Sequence, residues 1–343
     1  MMSFVGRIVQ LDPGAGIPGG EVAVDCDKFD TSNLRVCRVW FDAVSDRLVA
    51  ASTRRVLAIV PDLNFGGEVL VSLDNGGEHS APARFIVGAK LADDLHPVAN
   101  PAFDPDDGAL YVTRSGSRGQ ELPVTIFRLE TNGLLADFSG DITNPTGIAF
   151  DKSGQMFVTS RMDGTVYRVT PFKDAVPFAE NLGVATGLAF GQDGSLYVGD
   201  RTGTIYRVNS IGEASSWSQL EPSVSAYHLA FGPDNALYVT GPTVSSFDAV
   251  IRIDESGAAS DFYRGLGRPQ GLAFDRDGNL YVAASLRGRR GIVRISPDGR
   301  EASLVVAGMN VVGLAFSAAG DMVVVTTEAV YSLPLGIQGT LLR

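Results

Sequence analysis

The chain has 343 residues, with 28 Lys and Arg against 39 Asp and Glu, for a formal net charge of −11. Hydrophobic residues make up 45% and charged residues 20%, which predicts a folded, soluble protein and excludes wholesale disorder. The acid excess argues against a nucleic-acid binder, which needs a basic surface to displace counterions, and it is spread along the chain: residues 1–90 carry 9 basic and 11 acidic side chains, the remainder 19 and 28.

Forty glycines, well above the usual ~7%, point to many tight turns and hence many short strands. No apolar run approaches the ~20 residues of a membrane span. The opening Met1-Met2-Ser3-Phe4-Val5 shows no charged leader before a long apolar stretch, so no signal peptide is expected. That leaves two compartments open: a cytoplasmic chain, or a secreted or cell-surface chain after processing.

The first ninety residues lack the repeat that organises the rest. They contain Pro13-Gly14-Ala15-Gly16-Ile17-Pro18-Gly19-Gly20-Glu21-Val22, then Val39-Trp40-Phe41-Asp42, then Arg55-Val56-Leu57-Ala58-Ile59-Val60-Pro61. Gly66-Gly67-Glu68-Val69-Leu70-Val71-Ser72-Leu73 and Ser80-Ala81-Pro82-Ala83-Arg84-Phe85-Ile86-Val87 close the segment. Short apolar runs about ten residues apart, with turn residues between them, predict a small β-sandwich. Their order resembles an IPT/TIG immunoglobulin-like domain, with Asp42 standing where that family usually has Gly. The resemblance implies a spacer or adhesion module over residues 1–88. Cys26 and Cys37 have neither zinc-ribbon nor redox-pair spacing. They read as reduced core residues, with a hairpin disulfide as the alternative.

From residue 89 a unit recurs. Gly147-Ile148-Ala149-Phe150, Gly187-Leu188-Ala189-Phe190 and Gly271-Leu272-Ala273-Phe274 each lead through a Gly-containing turn to Met156-Phe157-Val158, Leu196-Tyr197-Val198 or Leu280-Tyr281-Val282. Weaker copies start at Asn100, His228 and Gly313. The anchoring aromatics, Phe103, Phe150, Phe190, Phe231, Phe274 and Phe316, give six copies at a period of about 40 residues, the period of a propeller blade. The turns carry Gly or Asn for positive φ, and Leu-Tyr-Val is strongly β-prone. Third strands are expected at 165–169, 204–208, 250–253 and 291–295, and outer strands at runs such as 175–178 and 303–306. The first copy carries an insertion at 115–123. The last copy needs an outer strand from 337–342 or from the entering chain at 84–91. The fold class is therefore all-β: a small sandwich, then a six-bladed β-propeller over residues 89–343. Because the join 87–91 is short, limited motion between the two is expected.

The repeat resembles NHL-type propellers and the wider superfamily that includes the senescence-marker and gluconolactonase lactonases. That superfamily holds enzymes and binding modules alike, so the resemblance alone does not name a reaction. Its lactonases hold a divalent cation in the central channel, on acids and amides just before the repeat Gly. Those slots here hold Ala99, Thr146, Thr186, Tyr227, Gln270 and Val312. None is acidic, and Gln270 offers one neutral oxygen where a hard cation needs charged ligands. Asp200, after Tyr197-Val198-Gly199, is a lone acid. No metal site is expected; one divalent cation such as calcium is the alternative the resemblance implies. The Asp-rich turns, such as Asp275-Arg276-Asp277-Gly278-Asn279, lack the closing Glu of a calcium loop and read as turn chemistry. The sequence contains no His-Glu-x-x-His, Gly-x-Ser-x-Gly or phosphate-binding loop.

What remains is a polar set at one end of the repeat. Thr146, Thr186, Tyr227 and Gln270 share a slot, Arg161 and Arg201 share another, and Asn100 and His228 replace the repeat Gly. With Asp200, these are the candidate ligand-binding residues, suited to an acidic or hydroxylated small molecule. They also fit an ordinary wet channel, with Arg201 paired to Asp200. Arg287-Gly288-Arg289-Arg290 reads as a long, solvated basic loop, with contact to an anionic partner as the alternative. The leading expectation is a non-catalytic binding or scaffold protein, taking a protein, carbohydrate or small polar ligand at a propeller face. The alternative is a lactonase or hydrolase working through Asp200 and His228 in the channel. A structural role through oligomerisation is a third reading.

Overall fold

A computed structural model describes residues 6–46, 48–117, 120–245 and 247–340. The described residues form strands and turns without a helix, so none is present that is long and apolar enough to cross a membrane.

The N-terminal segment is a two-sheet sandwich. Arg7–Asp12, Glu21–Asp27, Arg55–Ile59 and Leu48–Ala51 make one antiparallel sheet. Ala15–Gly16, Ala83–Val87, Gly67–Asp74, Arg38–Phe41 and Val44–Asp46 line up in the other. Alternation along Gly67–Asp74 puts Val69, Val71 and Leu73 inside and Glu68 and Leu70 outside, as a half-buried strand requires. Those side chains meet Val22, Val24, Phe41 and Phe85 in one core. Asp42 takes over the role of a turn Gly: its φ is 50°, and its carboxylate accepts the Leu70 N–H at 2.8 Å, the local bond that lets Asp adopt this conformation. Cys26 and Cys37 are buried free thiols in the same core. Burial pushes the Cys26 thiol up to about 11.

The remainder is a β-propeller. Antiparallel groups follow one another along the chain, and we number them as blades in that order: the four-stranded 102–139, 145–179, 185–219, 228–267 and 272–307, and the three strands of 311–333. The expected third strands fall at Thr165–Val169, Thr204–Val208, Asp248–Ile253 and Arg289–Ile295. Of the 115–123 insertion, residues 118 and 119 lie outside the described residues.

The outer strand of blade six is Ala89–Ala92, paired antiparallel to Val330–Leu333. The second of the two expected sources is therefore the one used. The chain at 337–340 instead passes under blade five, where the Thr340 N–H bonds the Phe274 carbonyl at 2.9 Å; residues 341–343 lie outside the described residues. One ring thus closes with a strand from the start of the propeller sequence and a brace from its end.

The repeat aromatics explain the stacking of blades. Each second-strand aromatic meets the inner-strand Phe of the next blade: Tyr111 with Phe150, Phe157 with Phe190, Tyr197 with Phe231, Tyr238 with Phe274 and Tyr281 with Phe316, with ring centroids 4.8–5.7 Å apart. The repeat Gly serves close approach. A Cβ on Gly187 would lie 2.5 Å from the Tyr227 carbonyl, and one on Gly271 would strike Asn100 and the Gly313 Cα.

The sandwich is hydrogen-bonded into the propeller. Ala15–Gly16 pairs in parallel with Ala83–Val87 on one side and with the end of Ala302–Ala307 in blade five on the other. The Ile17 N–H bonds the Ala307 carbonyl at 2.9 Å, and the Ile17 side chain is fully buried with Tyr281, Ile292 and Tyr331. The two parts are therefore joined by a shared sheet edge as well as by the short stretch 87–91. Arg287-Gly288-Arg289-Arg290 is not a long solvated loop. Leu286 pairs with Arg289, leaving Arg287 (φ 51°) and Gly288 (φ 85°) as a two-residue hairpin turn of the type that needs positive φ at both positions. Arg289 then reaches across to Asp12 at 2.6 Å.

Ile17 belongs to both layers. Ile17→Ala should lower global stability by about 2–5 kcal/mol, and chemical denaturation followed by tryptophan fluorescence and circular dichroism should still show one coincident transition. Separate sandwich and propeller transitions in the native chain would contradict the shared edge.

Candidate functional site

The ladder register defines two ends of the propeller. In blade two Pro145 pairs with Ser160 at one end and Phe150 with Met156 at the other, next to the 151–155 turn. We call these the entry end and the hairpin end.

Most of the polar set predicted at the entry end is committed to holding blades together. Thr186 is buried; its hydroxyl donates to the Gly199 carbonyl at 3.0 Å and accepts the Tyr227 N–H at 3.0 Å. The Tyr227 hydroxyl donates to the Glu221 carbonyl, and burial pushes its phenol up to about 12. Thr146 is buried, with its hydroxyl oxygen unpartnered among the described residues, while its carbonyl accepts the Thr113 hydroxyl at 2.8 Å. Asn100 bridges two neighbouring blades, donating to the Leu272 carbonyl at 2.8 Å and accepting the Leu314 N–H at 3.0 Å.

Asp200 organises a turn. One carboxylate oxygen accepts the Val184 N–H at 2.9 Å and the Thr202 N–H at 3.0 Å; the other accepts the Thr202 hydroxyl. It is buried, and no ion pair joins it to Arg201 among the described residues. Arg201 is exposed and its backbone N–H bonds Val184. Arg161 donates to the Gly116 carbonyl at 3.1 Å, and burial together with the Arg201 charge holds its guanidinium below the ordinary arginine range.

Gln270 faces a different space. A cavity of about 620 Å³ at the entry end is lined by Gln270, Arg268, Arg290, Asn310, Ser285 and Thr243, among others from blades four, five and six. Arg268 and Asn310 hold positive φ (48° and 54°). Among the described residues neither Arg268 nor Arg290 is paired to a carboxylate. The sequence reading missed Arg268 and Asn310, although Arg268 sits two residues before the slot it did read.

His228 stands apart from both sets. It is buried, lines a second cavity of about 480 Å³ at the hairpin end, and its Nε2 has no partner among the described residues. Burial lowers its pKa from 6.5 to about 4, so the imidazole is neutral near pH 7. Asn100 lines the same cavity, from blade one.

The Asp-rich turns hold their carboxylates on their own backbone. Asp275 accepts the N–H groups of Asp277 (3.0 Å) and Asn279 (2.8 Å) and the Tyr281 hydroxyl (3.1 Å). No three His, Cys, Asp or Glu side chains among the described residues are grouped to hold a metal ion.

No protein-family model matches the chain, and no curated protein matches its sequence. Solved structures do match its fold. An auxiliary nutrient binding protein from Bacteroides thetaiotaomicron is 14% identical with a TM-score of 0.56, over 96% of this chain and 98% of that one. A gluconolactonase from Xanthomonas campestris is 16% identical with a TM-score of 0.58, over 71% of this chain and 88% of that one. A virginiamycin B lyase from Staphylococcus aureus is 15% identical with a TM-score of 0.50, over 72% of this chain and 97% of that one. At these identities the likeness is one of fold: an all-β propeller of the gluconolactonase-like and virginiamycin B lyase-like kind. The slot residues are apolar, hydroxyl or amide, and the nearby acid, Asp200, accepts three turn hydrogen bonds.

The buried His228 makes stability depend on pH. The unfolded chain takes up a proton at this residue near pH 6.5 and the folded chain only near 4. Between those values unfolding binds a proton, so stability falls as pH falls. The shift corresponds to a loss of about 3 kcal/mol from pH 7 to 4. Urea denaturation at both pH values should show a drop in the native protein that is smaller in His228→Leu by about this amount; equal drops would place the titration elsewhere.

Proposed function

We propose that the chain is a non-catalytic binding protein, built as a six-bladed NHL-like propeller (89–343) with an IPT/TIG-like module (1–88). Its ligand is a small, hydroxylated anion, such as an acidic carbohydrate, taken at the entry end. The observation that carries this reading is the polar cavity of about 620 Å³ bounded by Arg268, Gln270, Arg290 and Asn310. Two guanidinium groups unpaired among the described residues, beside amide groups, offer fork-shaped donors for a carboxylate and single donors for hydroxyls. Ligand pockets commonly enclose about 300–1,000 Å³, so the space suits one or two sugar rings. A net charge of −11 gives the rest of the molecule the opposite sign, which confines anion attraction to this patch. The nutrient-binding likeness over nearly the whole chain agrees with this reading, and the gluconolactonase likeness favours the alternative of a lactone hydrolase. The engagement of Asp200 in three turn hydrogen bonds supports the first. The module at 1–88 serves as a fixed mount rather than a hinged spacer, because it shares a sheet edge with blade five.

The test is calorimetric titration with galacturonate and galactose, beside a lactone-hydrolysis assay with and without calcium. We expect galacturonate to bind more tightly than galactose, Arg268→Ala and Arg290→Ala each to weaken it about tenfold, a change of about 1.4 kcal/mol, and added salt to weaken it further. Calcium-dependent lactone hydrolysis lost in Asp200→Asn would overturn the proposal in favour of the hydrolase.

A further inference from the structure

Strand register sets the spacing of the two arginines in the entry-end cavity. Gly267 pairs with Ser285, and Ser285 pairs in turn with Arg290, so the three form one row across adjacent strands. Directly paired residues project to the same face of a sheet, and all three line the cavity. Neighbouring strands lie about 4.8 Å apart, which puts the Gly267 and Arg290 backbones about 10 Å from each other. Arg268 follows Gly267 directly and lines the same cavity. The two arginines are therefore rooted on either side of the strand Leu280–Leu286. Between them the row offers little bulk: Gly267 has no side chain, and Ser285 contributes one hydroxyl. That hydroxyl and the side-chain amides of Gln270 and Asn310 have no hydrogen-bond partner among the described residues. The Thr243 hydroxyl, by contrast, donates to the buried Asp248 at 2.7 Å. No Asp or Glu is among the residues that line the cavity, so its two positive charges meet no acid on the wall.

We propose, resting on the entry-end reading, that the ligand is a dianion: an open-chain sugar diacid whose two carboxylates meet Arg268 and Arg290 and whose hydroxyls lie over Gly267 and Ser285. Five carbon–carbon bonds of about 1.5 Å, in extended zigzag, separate the carboxyl carbons of a six-carbon diacid by about 6 Å. With a charge-assisted fork at each end, that span suits side chains rooted about 10 Å apart. A four-carbon diacid covers less of the gap, and a monoacid leaves one guanidinium to water. Two contacts tied to one molecule also reinforce each other, because forming the first brings the second group to a high effective concentration.

The probes are galactarate, galacturonate and tartrate, titrated calorimetrically into the full chain at matched ionic strength. Galactarate should bind at least tenfold more tightly than either of the others. In the native protein its affinity should fall more steeply with added salt than that of galacturonate. In Arg268→Ala and, separately, Arg290→Ala, with melting curves verifying the fold, galactarate and galacturonate should bind alike. Arg287→Ala removes the same charge from the hairpin tip outside the cavity lining and should keep the preference. Galacturonate bound without a galactarate advantage would overturn the diacid and leave the entry-end reading standing; binding of neither would overturn both. Tartrate bound as tightly as galactarate, a preference lost in folded Arg287→Ala, or one that survives in folded Arg268→Ala or Arg290→Ala would also overturn the diacid.

Discussion

The molecule depends on edge-to-face or tilted contact between aromatic rings across successive blade boundaries. A four-stranded sheet has two apolar faces and cannot hide both alone; a ring of such sheets hides each against its neighbour. The second-strand aromatic of each of blades one to five is the shared element. It meets the inner-strand Phe of the next blade, and in the first four blades also an outer-strand ring of its own: Phe138, Phe178, Trp217 or Phe262. Such pairs contribute about 0.5–1.5 kcal/mol beyond the area they bury, and their geometry fixes the angle between sheets. Blade six has Val323 at this position, so its boundary with blade one lacks the ring pair. Closure there rests on hydrogen bonds instead, through Ala89–Ala92 on Val330–Leu333 and through the Asn100 amide. The seam of the ring is thus held by directional bonds where ring stacking ends.

Bringing blades this close decides what the axis can contain. Inner strands approach until Gly is required, as at Gly187 and Gly271, and hydroxyls near them are drawn into inter-blade bonds. The Thr186 hydroxyl joins blade three to the Tyr227 amide of blade four, and the Thr159 hydroxyl joins blade two to the Thr186 carbonyl. Polar atoms so employed are unavailable to a ligand. The hairpin-end lumen is left to Leu, Ile and Ala, and polarity at the entry end moves outward to the loops of blades four to six.

This explains what was legible in the sequence. Period, turn residues and apolar alternation are local properties, and they located the strands, the repeat aromatics and the two-layer N-terminal segment. The shared slot of Thr146, Thr186, Tyr227 and Gln270 was legible as a slot, but its use was not. Whether a hydroxyl meets the lumen or the neighbouring blade depends on contacts about 40 residues away, such as Thr186 with Tyr227. The 287–290 segment looked like a loop because Arg287 is not a usual positive-φ residue. The following Gly288, between two runs of β-prone residues, was the available sign of a tight hairpin.

That same hairpin ties the N-terminal layer to the chemistry of the entry end. Arg289 leaves the turn toward the sandwich and pairs with Asp12 at 2.6 Å, while also bonding the Asp12 carbonyl. Its neighbour Arg290 lines the polar cavity on the opposite side of the strand, because successive residues of a strand face opposite ways. One carboxylate from the sandwich therefore sets the position of the hairpin that carries a cavity arginine. The pair is only partly exposed, at 22% and 39% of the side-chain surfaces, so solvent screens it less than an exposed pair such as Arg84 with Glu68. Ala15–Gly16 holds the adjoining blade edge through Ala307, and Gly308, the next residue, also lines the cavity. Two separate attachments of the sandwich thus end within one residue of the same cavity wall. A module tethered only by a linker would leave that wall to the mobility of an exposed hairpin; one bonded at both points makes it part of a continuous sheet.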